Sequence, residues 1–421
     1  LRMSRNVQYN PADSNGFVTS RSKGNSMTRH YSTKDFFRQM PNALLARYFQ
    51  ERGLFGDLDF ATMKEAKPDE LFAAWLELPD AQRNEMDAEL LDIFELCCEK
   101  GFLAILDEAR WQLRETPAQL TPLVETLSAL PNHFERAMVT YLDHKGFWKG
   151  ATRFYHADTL SYWRKRKNLP QVPAAVDDAS IQQLAALIRN YFHHTEGRGK
   201  NCVVEPYRRE GLDYFFCYPE DHSQRSIEWV NGVFDPRPHN PAFEVVYVYS
   251  QQDGTLDLNF RGSRKAVEPL QSMFAQAILK LDDLPPDPKD ERVYDLNPLR
   301  QNSFSFSYAV GSGIEHVAVK KLRLSSRVNK GDRITLEADA TQDPDAVYTL
   351  LDQISKAVPL HLYNITQVEL AASVVVDADK PAKVVTIRIT HPNSCSLKYD
   401  EFDLKLRDML EASGIEPKEP V

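Results

Sequence analysis

The apolar residues of this chain change their spacing part-way along the sequence, from a helical period to a strand period. Up to about Lys167 they recur at the three-to-four-residue spacing of amphipathic helices. From Cys202 onwards they alternate with polar residues, as in half-buried strands. This order predicts helices first and antiparallel hairpins later, rather than a doubly wound nucleotide-binding fold.

The first part of the chain predicts a packed set of antiparallel helices. Pro41 marks the start of one helix, an apolar stripe follows it, and Gly53 marks its end. Asp80 can cap a longer helix, which Gly101 breaks or bends. We therefore expect an all-α helical domain over residues 27–168.

The second part of the chain predicts β-hairpins followed by single helices. An Asp253-Gly254 pair between two alternating segments is the strongest hairpin signal, because these residues tolerate positive φ. The order hairpin then helix occurs at 243–281, 315–356 and 367–413, after a first hairpin at 202–218. The predicted fold class is α+β and multidomain, with an N-terminal all-α helical domain followed by antiparallel hairpin-plus-helix α+β domains.

Two proline-containing segments, 168–178 and 282–290, predict domain boundaries. The two α+β domains are then expected at 179–281 and 291–413, and residues 414–421 form a tail. Exposed, proline-rich linkers are typical of such boundaries because few contacts cross them.

Residues 1–26 differ from the rest of the chain. They are rich in Ser, Asn and Arg and have no periodic apolar pattern, so we expect a disordered arm. Met27 stands just before the first structured pattern. We hypothesise that Met27 is the natural start and that 1–26 is a non-native leader; a peptide from 6–17 in the natural protein would disprove this.

Composition is typical of a folded, soluble protein, with 42% hydrophobic and 26% charged residues. The five cysteines are an odd number without CxxC spacing, so we expect a reducing, cytoplasmic location rather than a disulfide framework. The apolar run 245–249 is too short for a membrane span, and no membrane association is expected. The net charge of −9 argues against uniform coating of nucleic acid but permits a local basic face.

The most unusual segment combines basic and aromatic residues. Residues 145–168 hold seven basic residues against one acidic residue, interleaved with Phe, Tyr and Trp. Cations can follow phosphates while rings stack on exposed bases, which suits single-stranded nucleic acid. Alternatively, the rings belong to the core and Arg164–Lys167 is a solvated helix end. The predicted contact residues in this segment are Lys149, Arg153, Arg164, Lys165, Arg166 and Lys167.

A second basic stretch lies on the hairpin predicted near 315–338. Strand alternation places Lys321 and Arg323 on the same face as Val317 and Val319, a mixed face that fits a sheet edge or an exposed hairpin. Lysine at a sheet edge also discourages aggregation, so a purely structural role stays open. The predicted nucleic-acid contacts in this stretch are Lys320, Lys321, Arg323 and Arg327.

A smaller basic cluster, Arg261, Arg264 and Lys265, stands where a helix is predicted to begin. Backbone N–H groups at such a position could bind an anion. The alternative is that Ser263 serves as an ordinary N-cap.

The candidate catalytic residues are His193, His194 and Glu196. Two imidazoles beside a carboxylate could hold a metal or run acid–base chemistry. Adjacent helical residues point about 100° apart, however, and a helix C-terminus favours imidazolium for electrostatic reasons. Glu205 is a further suspect for a site assembled from distant residues.

Established catalytic templates do not match. The chain contains no HExxH, GxSxG or GxxxxGK[ST] motif. Residues 197–200 resemble a phosphate-binding loop only in composition, because they follow a helix and precede a strand. We predict no metal site and no cofactor.

These observations favour a cytoplasmic binding or regulatory protein without catalytic activity, with nucleic acid or a protein as its partner. A hydrolase or nuclease with a dispersed site is one alternative, and a structural subunit of a larger assembly is another. The two basic stretches support the first hypothesis only if they share a face of the folded protein.

Overall fold

A computed structural model describes residues 30–230, 233–285, 293–329, 331–340, 343–375 and 381–416. The predicted arm 1–26 and the end of the predicted tail, 417–421, lie outside this range. The mixed α+β architecture is confirmed, with helices up to residue 157 and an antiparallel sheet with helices beyond it. No helix in the described ranges is long and apolar enough to cross a membrane.

The helices of the described residues follow the predicted order. In the first part of the chain they are α1 (Thr33–Gln39), α2 (Asn42–Gln50), α3 (Asp69–Leu76), α4 (Asp80–Leu96), α5 (Glu99–Gln112), α6 (Pro117–Ala129), α7 (His133–Asp143) and α8 (Lys145–Ala157). Later helices are α9 (Asp178–Glu196), α10 (Val267–Ala277), α11 (Ala346–Ser355) and α12 (Glu401–Ala412).

The strands of the described residues are antiparallel and range from 2 to 13 residues in length. They are β1 (Trp163–Arg166), β2 (Cys202–Arg209), β3 (Leu212–Pro219), β4 (Gln224–Val230), β5 (Val233–His239), β6 (Val245–Ser250), β7 (Thr255–Phe260), β8 (Ile314–Ser326), β9 (Arg333–Glu337), β10 (Tyr363–Val374), β11 (Lys383–Thr390) and β12 (Ser394–Cys395). The hairpins β2–β3, β6–β7, β8–β9 and β10–β11 are those that the alternation predicts.

The chain forms two compact units, which separate within α4 between Leu91 and Asp92. In the first unit, α1, α2 and α3 meet around an aromatic core. The rings of Phe37, Phe49 and Trp75 contact one another edge-on, with centroids 5.6 to 6.1 Å apart. Such edge-to-face pairs contribute beyond simple area burial.

The second unit contains a ten-stranded sheet of order β2-β3-β6-β7-β1-β12-β11-β10-β8-β9. Strands from both sides of the 282–290 segment belong to this sheet. The two short strands β1 and β12 pair with each other at its centre and join the two sets of hairpins. The predicted domain boundaries at 168–178 and 282–290 stay predictions.

Helices cover both faces of the β3-β6-β7 part of the sheet. Helices α9 and α10 bury Ile188 and Phe274 against one face, next to Tyr247. Helix α8 buries Phe154 against the opposite face, next to Tyr214. All six residues of β6 are buried, as expected for a strand covered on both sides.

A buried ion cluster ties α5 and α8 to the β2–β3 hairpin. The guanidinium of Arg209 lies 2.7 Å from a carboxylate oxygen of Asp107 and 2.7 Å from one of Asp158. All three residues are buried. Burial raises the pKa of Asp158 to about 6, although Arg209 acts in the opposite direction.

On the other part of the sheet, the helices of the described residues pack on one face only. Ile387 and Ile389 of β11 pack with Leu351 of α11 and Leu406 of α12 in one core. The alternate side chains of β11 stay exposed to solvent. Half-covered antiparallel sheets show this apolar-in, polar-out alternation.

Two expectations about secondary structure were wrong. The last helix of the helical region ends at Ala157 rather than near Lys167, so Arg164–Lys167 is not a helix end. Residues 163–166 form a strand instead, because β7 and β12 pair with this segment on both sides.

The helix predicted to be interrupted at Gly101 divides earlier, at Cys98, which caps α5. Gly101 allows the close turn, since a Cβ there would lie 2.3 Å from the carbonyl oxygen of Leu96.

Candidate nucleic-acid interface

The first two predicted contact residues lie on α8 and are bound to one carboxylate. Nζ of Lys149 lies 2.7 Å from Glu205 of β2, and Nε of Arg153 lies 2.8 Å from it. Although partial burial raises the pKa of Glu205, the two cations outweigh this effect and hold that pKa below its ordinary value. Arg153 also stacks over the ring of Tyr218, 5.1 Å from its centroid. Both cations therefore join α8 to the sheet.

Lys165 and Lys167 of the basic segment meet a carboxylate from the end of the described chain. Nζ of Lys165 lies 2.8 Å from Glu416 and 3.9 Å from Asp257, and Nζ of Lys167 lies 3.7 Å from Glu416. Burial acts to lower the pKa of Lys165, but Asp257 and Glu416 raise it above its ordinary value. These interactions neutralise Lys165 within the fold.

Arg166 is 5% exposed and lies beneath α10. Its guanidinium donates a hydrogen bond to the carbonyl of Pro285 and lies 3.4 Å from Oε1 of Gln271. A phosphate could reach this side chain only after α10 moved away.

Arg164 differs from its three neighbours. It is half-buried, and its guanidinium has no ion pair or hydrogen bond to any residue that the structure describes. Burial lowers the pKa of Arg164, and the nearby charge of Arg264 lowers it further. Arg264 follows Ser263, whose Oγ accepts the backbone N–H of Lys265 as the ordinary N-cap interpretation expects. An anion beside Arg164 and Arg264 would relieve their mutual repulsion.

The second basic stretch contains a β-bulge that the sequence did not reveal. Glu369 of β10 pairs with Lys321, but the next residue, Leu370, pairs with Val319, so Lys320 is the extra residue. The bulge reverses the alternation. Val319 and Leu322 therefore both face the core, and the prediction that Lys321 and Arg323 share the face of Val319 was wrong.

Arg164 and Arg323 lie on the same face of the sheet. Partners across antiparallel strands project to the same side, and the pairings can be followed from strand to strand. One row of partners runs across seven strands: Leu258, Arg164, Ser394, Thr390, Gln367, Arg323 and Thr335. We call the part of this face on β1, β12, β11, β10, β8 and β9 the open face.

The neighbouring row of the open face is a ladder of alternating charges. It consists of Arg388, Glu369, Lys321 and Glu337 on four successive strands. Glu369 lies 3.1 Å from Arg388 and 3.6 Å from Lys321, and Lys321 lies 3.0 Å from Glu337. Two cations and two carboxylates cancel, so this row contributes little net charge.

The positive charge of the open face therefore comes from other arginines. Arg323 donates a hydrogen bond of 3.1 Å to the neutral amide of Gln367. Arg333, the partner of Ser325, is exposed. Among the described residues, neither of them nor Arg164 has a carboxylate partner. This surplus gives the open face a positive potential in a chain of net charge −9.

Tyr162 places an aromatic ring at the edge of the open face. The residue is 51% exposed, and Nη1 of Arg388 donates to its hydroxyl at 3.3 Å. Its backbone has a φ of 66°, in the left-handed region that bulky residues rarely occupy. Such conformations persist where surrounding structure enforces them, often at binding sites.

The remaining predicted contacts stand apart from this row. Lys320 occupies the bulge. Arg327 is exposed just after β8, where its backbone N–H donates to the carbonyl of Leu362. Lys330, the next basic residue after Arg327 in the sequence, lies outside the described residues.

The candidate catalytic residues do not converge on a metal-binding geometry. His193 and His194 are exposed at the end of α9 with ring centroids 5.4 Å apart. Glu196 is 2.7 Å from Arg198, which also binds Asp221. The described part of the chain contains no group of three or more His, Cys, Asp or Glu side chains that could hold a metal ion.

Sequence reasoning missed Arg388 as a member of the open face. It stands between Ile387 and Ile389, and this alternation alone indicated a polar side chain on the uncovered face. Its partner Glu369 could not be identified from spacing, because strand pairing decides which residues meet.

The chain was compared with known proteins. No protein-family model matches it, and a search of curated proteins finds no relative that matches it.

Proposed function

We propose that this chain is a binding protein without catalytic activity, and that it holds single-stranded nucleic acid across the open face. The observation that carries this proposal is the presence of Arg164 and Arg323 in one row of the open face, each without a carboxylate partner among the described residues. Cations that lack an internal partner gain most from an external anion.

The dimensions of the row suit a short stretch of nucleic acid. Arg164 and Arg323 are four strands apart, which corresponds to about 19 Å at the usual spacing of strands in a sheet. A backbone crossing the sheet along this row meets Ser394, Thr390 and Gln367 between the two arginines. Hydroxyl and amide groups of this kind donate to phosphate oxygens.

Tyr162 supplies a stacking surface beside the cations. Exposed aromatic rings on an antiparallel sheet stack on unpaired bases, and this is a common way to recognise single strands. A duplex would bury its bases from such a ring, so we favour a single strand as the partner.

The test is a titration of a labelled oligothymidylate or oligouridylate of about 20 nucleotides, followed by fluorescence anisotropy. Binding is expected to weaken steeply as salt rises from about 50 to 200 mM. The double variant Arg164→Gln plus Arg323→Gln removes two contacts, so the slope of log K against log salt should fall by about 1.4.

A matched control changes charge equally on elements outside the open face. The variant Arg114→Gln plus Arg189→Gln also loses two exposed positive charges, but after α5 and on α9. It should keep the wild-type slope. The absence of salt-sensitive binding by the wild-type protein would disprove the function, and equal weakening in both double variants would disprove the location.

A further inference from the structure

Strands β4 and β5 form a separate two-stranded ribbon in the second unit. Near its tip, Trp229 and Phe234 are cross-strand partners with ring centroids 5.6 Å apart. Trp229 is 73% exposed and Phe234 is 53% exposed. An isolated two-stranded ribbon is only marginally stable in water, and its two large solvated rings form a surface that is accessible to a ligand.

The two faces of the ribbon differ in charge. The strand register puts Arg225, Pro236 and Pro238 on the same face as the two rings. The acidic positions of the ribbon, Glu228 and Asp235, fall at the alternate positions of the register. The aromatic face therefore combines rings with one cation and has no acidic position.

Strand addition at β5 is an unsuitable way to bind this ribbon. Pro236 and Pro238 lack a backbone N–H, so the outer edge of β5 has no donor at these two positions. Prolines at edge strands block pairing with another strand. A ligand at the β5 side of the ribbon must therefore contact side chains rather than pair with the backbone.

The area of the ribbon tip decides between a protein and a nucleic acid. A stable protein interface buries about 800 Å² on each partner. Two aromatic side chains supply about 150–250 Å² each, so the aromatic face of the tip provides roughly half of what a second copy of the chain needs. Base stacking needs only one ring for each base, and a single base stacked on a single ring already contributes to affinity.

We infer that the aromatic face of the β4–β5 ribbon stacks on unpaired bases of a single-stranded nucleic acid, with Arg225 on a neighbouring phosphate. This inference rests on the proposed function and adds a second contact with the same ligand class. The ribbon stacks on bases, whereas the arginines of the open face bind the phosphate backbone.

The experiment compares an oligothymidylate with an abasic oligomer that has the same number of phosphates. The double variant Trp229→Ala plus Phe234→Ala removes two stacked bases and should lose at least about 30-fold in affinity for the oligothymidylate. Its affinity for the abasic oligomer and its salt slope should stay unchanged, because no phosphate contact is lost. Val233→Ala, on the opposite face of the same ribbon, is the matched control and should change neither affinity.

Two single variants separate stacking from loss of the fold. Trp229→Leu keeps an apolar side chain without a ring and should weaken binding of the oligothymidylate, whereas Trp229→Phe keeps a ring and should retain most of it. Circular dichroism and melting temperature are measured for each variant. If Trp229→Leu binds the oligothymidylate as well as Trp229→Phe does, the stacking inference is wrong.

The outcomes also distinguish this inference from the proposed function. Salt-sensitive wild-type binding that the double ribbon variant leaves intact overturns the ribbon inference alone. The same holds if the variant loses equal affinity for both oligomers. Wild-type protein that binds neither oligomer overturns both proposals. A dimer in sedimentation velocity that the ribbon variant dissociates would assign the rings to a protein interface and overturn the inference.

Discussion

One face of the ten-stranded sheet is covered by helices in one part and open in the other. Over β3, β6 and β7, helices α9 and α10 bury this face in an apolar core. On β11 and β8 the same face carries Thr386, Arg388 and Arg323. The sequences differ accordingly, since β6 is buried at every position and β11 only at Ile387 and Ile389.

The two parts also handle charge differently. Where helices cover both faces, Arg209 is enclosed with Asp107 and Asp158. On the open face, charges form a cross-strand ladder whose ends, Arg388 and Glu337, are exposed and whose Glu369 is buried between two cations. Some arginines of this face have no carboxylate partner among the described residues. Buried charge requires a complete set of partners because desolvation is costly. Only the open part can keep cations available for a ligand.

The largest expected effect comes from removing a ring in the covered part. Phe274 of α10 is fully buried against Phe215 and Tyr247. Phe274→Ala should lower the free energy of unfolding by about 3–5 kcal/mol through lost burial and a cavity. Val384→Ala, 54% exposed on the open face, should change it by less than about 0.5 kcal/mol. Urea denaturation measures both free-energy changes. Similar losses in the two variants would show that the open face is packed as tightly as the covered part.

A second, pH-dependent effect is expected from Asp158. Because burial raises its pKa from 3.8 to about 6, the folded protein binds more protons than the unfolded chain between about pH 4 and 6. The stabilisation from this group is present below pH 4 and is lost as pH rises through about 6. Two pKa units correspond to on the order of 3 kcal/mol.

Asp158→Asn removes this titration. The difference in unfolding free energy between wild type and variant is measured at several pH values from about 4 to 7. As pH rises, the unfolding free energy of the wild type should fall relative to that of the variant. A difference that stays constant over this range would show that Asp158 titrates alike in the folded and unfolded states.

The smallest expected effect concerns the ladder of the open face. Lys321→Met removes contacts with Glu337 and Glu369. Partly exposed ion pairs contribute about 1 kcal/mol or less, and Arg388 stays beside Glu369. The loss in unfolding free energy should shrink further in 1 M salt, where the Debye length is about 3 Å. A loss as large as that of Phe274→Ala would show that the ladder is not solvated.

Local signals predicted most of the hairpins but not the central strands. Asp253-Gly254 and clear alternation were enough to identify β6 and β7. Strand β1 has the sequence Trp-Arg-Lys-Arg, which shows no alternation, and it is a strand because β7 and β12 pair with it. The ribbon β4–β5 was overlooked, although Asn231-Gly232 in the sequence is a hairpin signal.

The candidate site was predictable as a set of basic residues but not as a surface. Counting charges identified Arg164 together with Lys165 and Arg166. The fold then separated them. Lys165 points to the opposite face because successive side chains of a strand alternate, and Arg166, on the face of Arg164, is buried beneath α10. The bulge at Lys320 likewise reversed the faces predicted for Lys321 and Arg323, and a one-residue insertion of this kind leaves no signal in the hydrophobic pattern.

The sequence by itself determined that helices precede antiparallel hairpins, because the spacing of apolar residues is a local property of each segment. Only the tertiary structure decided that the hairpins share one sheet and which cations are available on it. Lys165 is neutralised by Glu416, 251 residues away, whereas Arg164, its neighbour in sequence, faces the other side of the sheet. Partners so distant along the chain meet only through folding, and no local pattern records them.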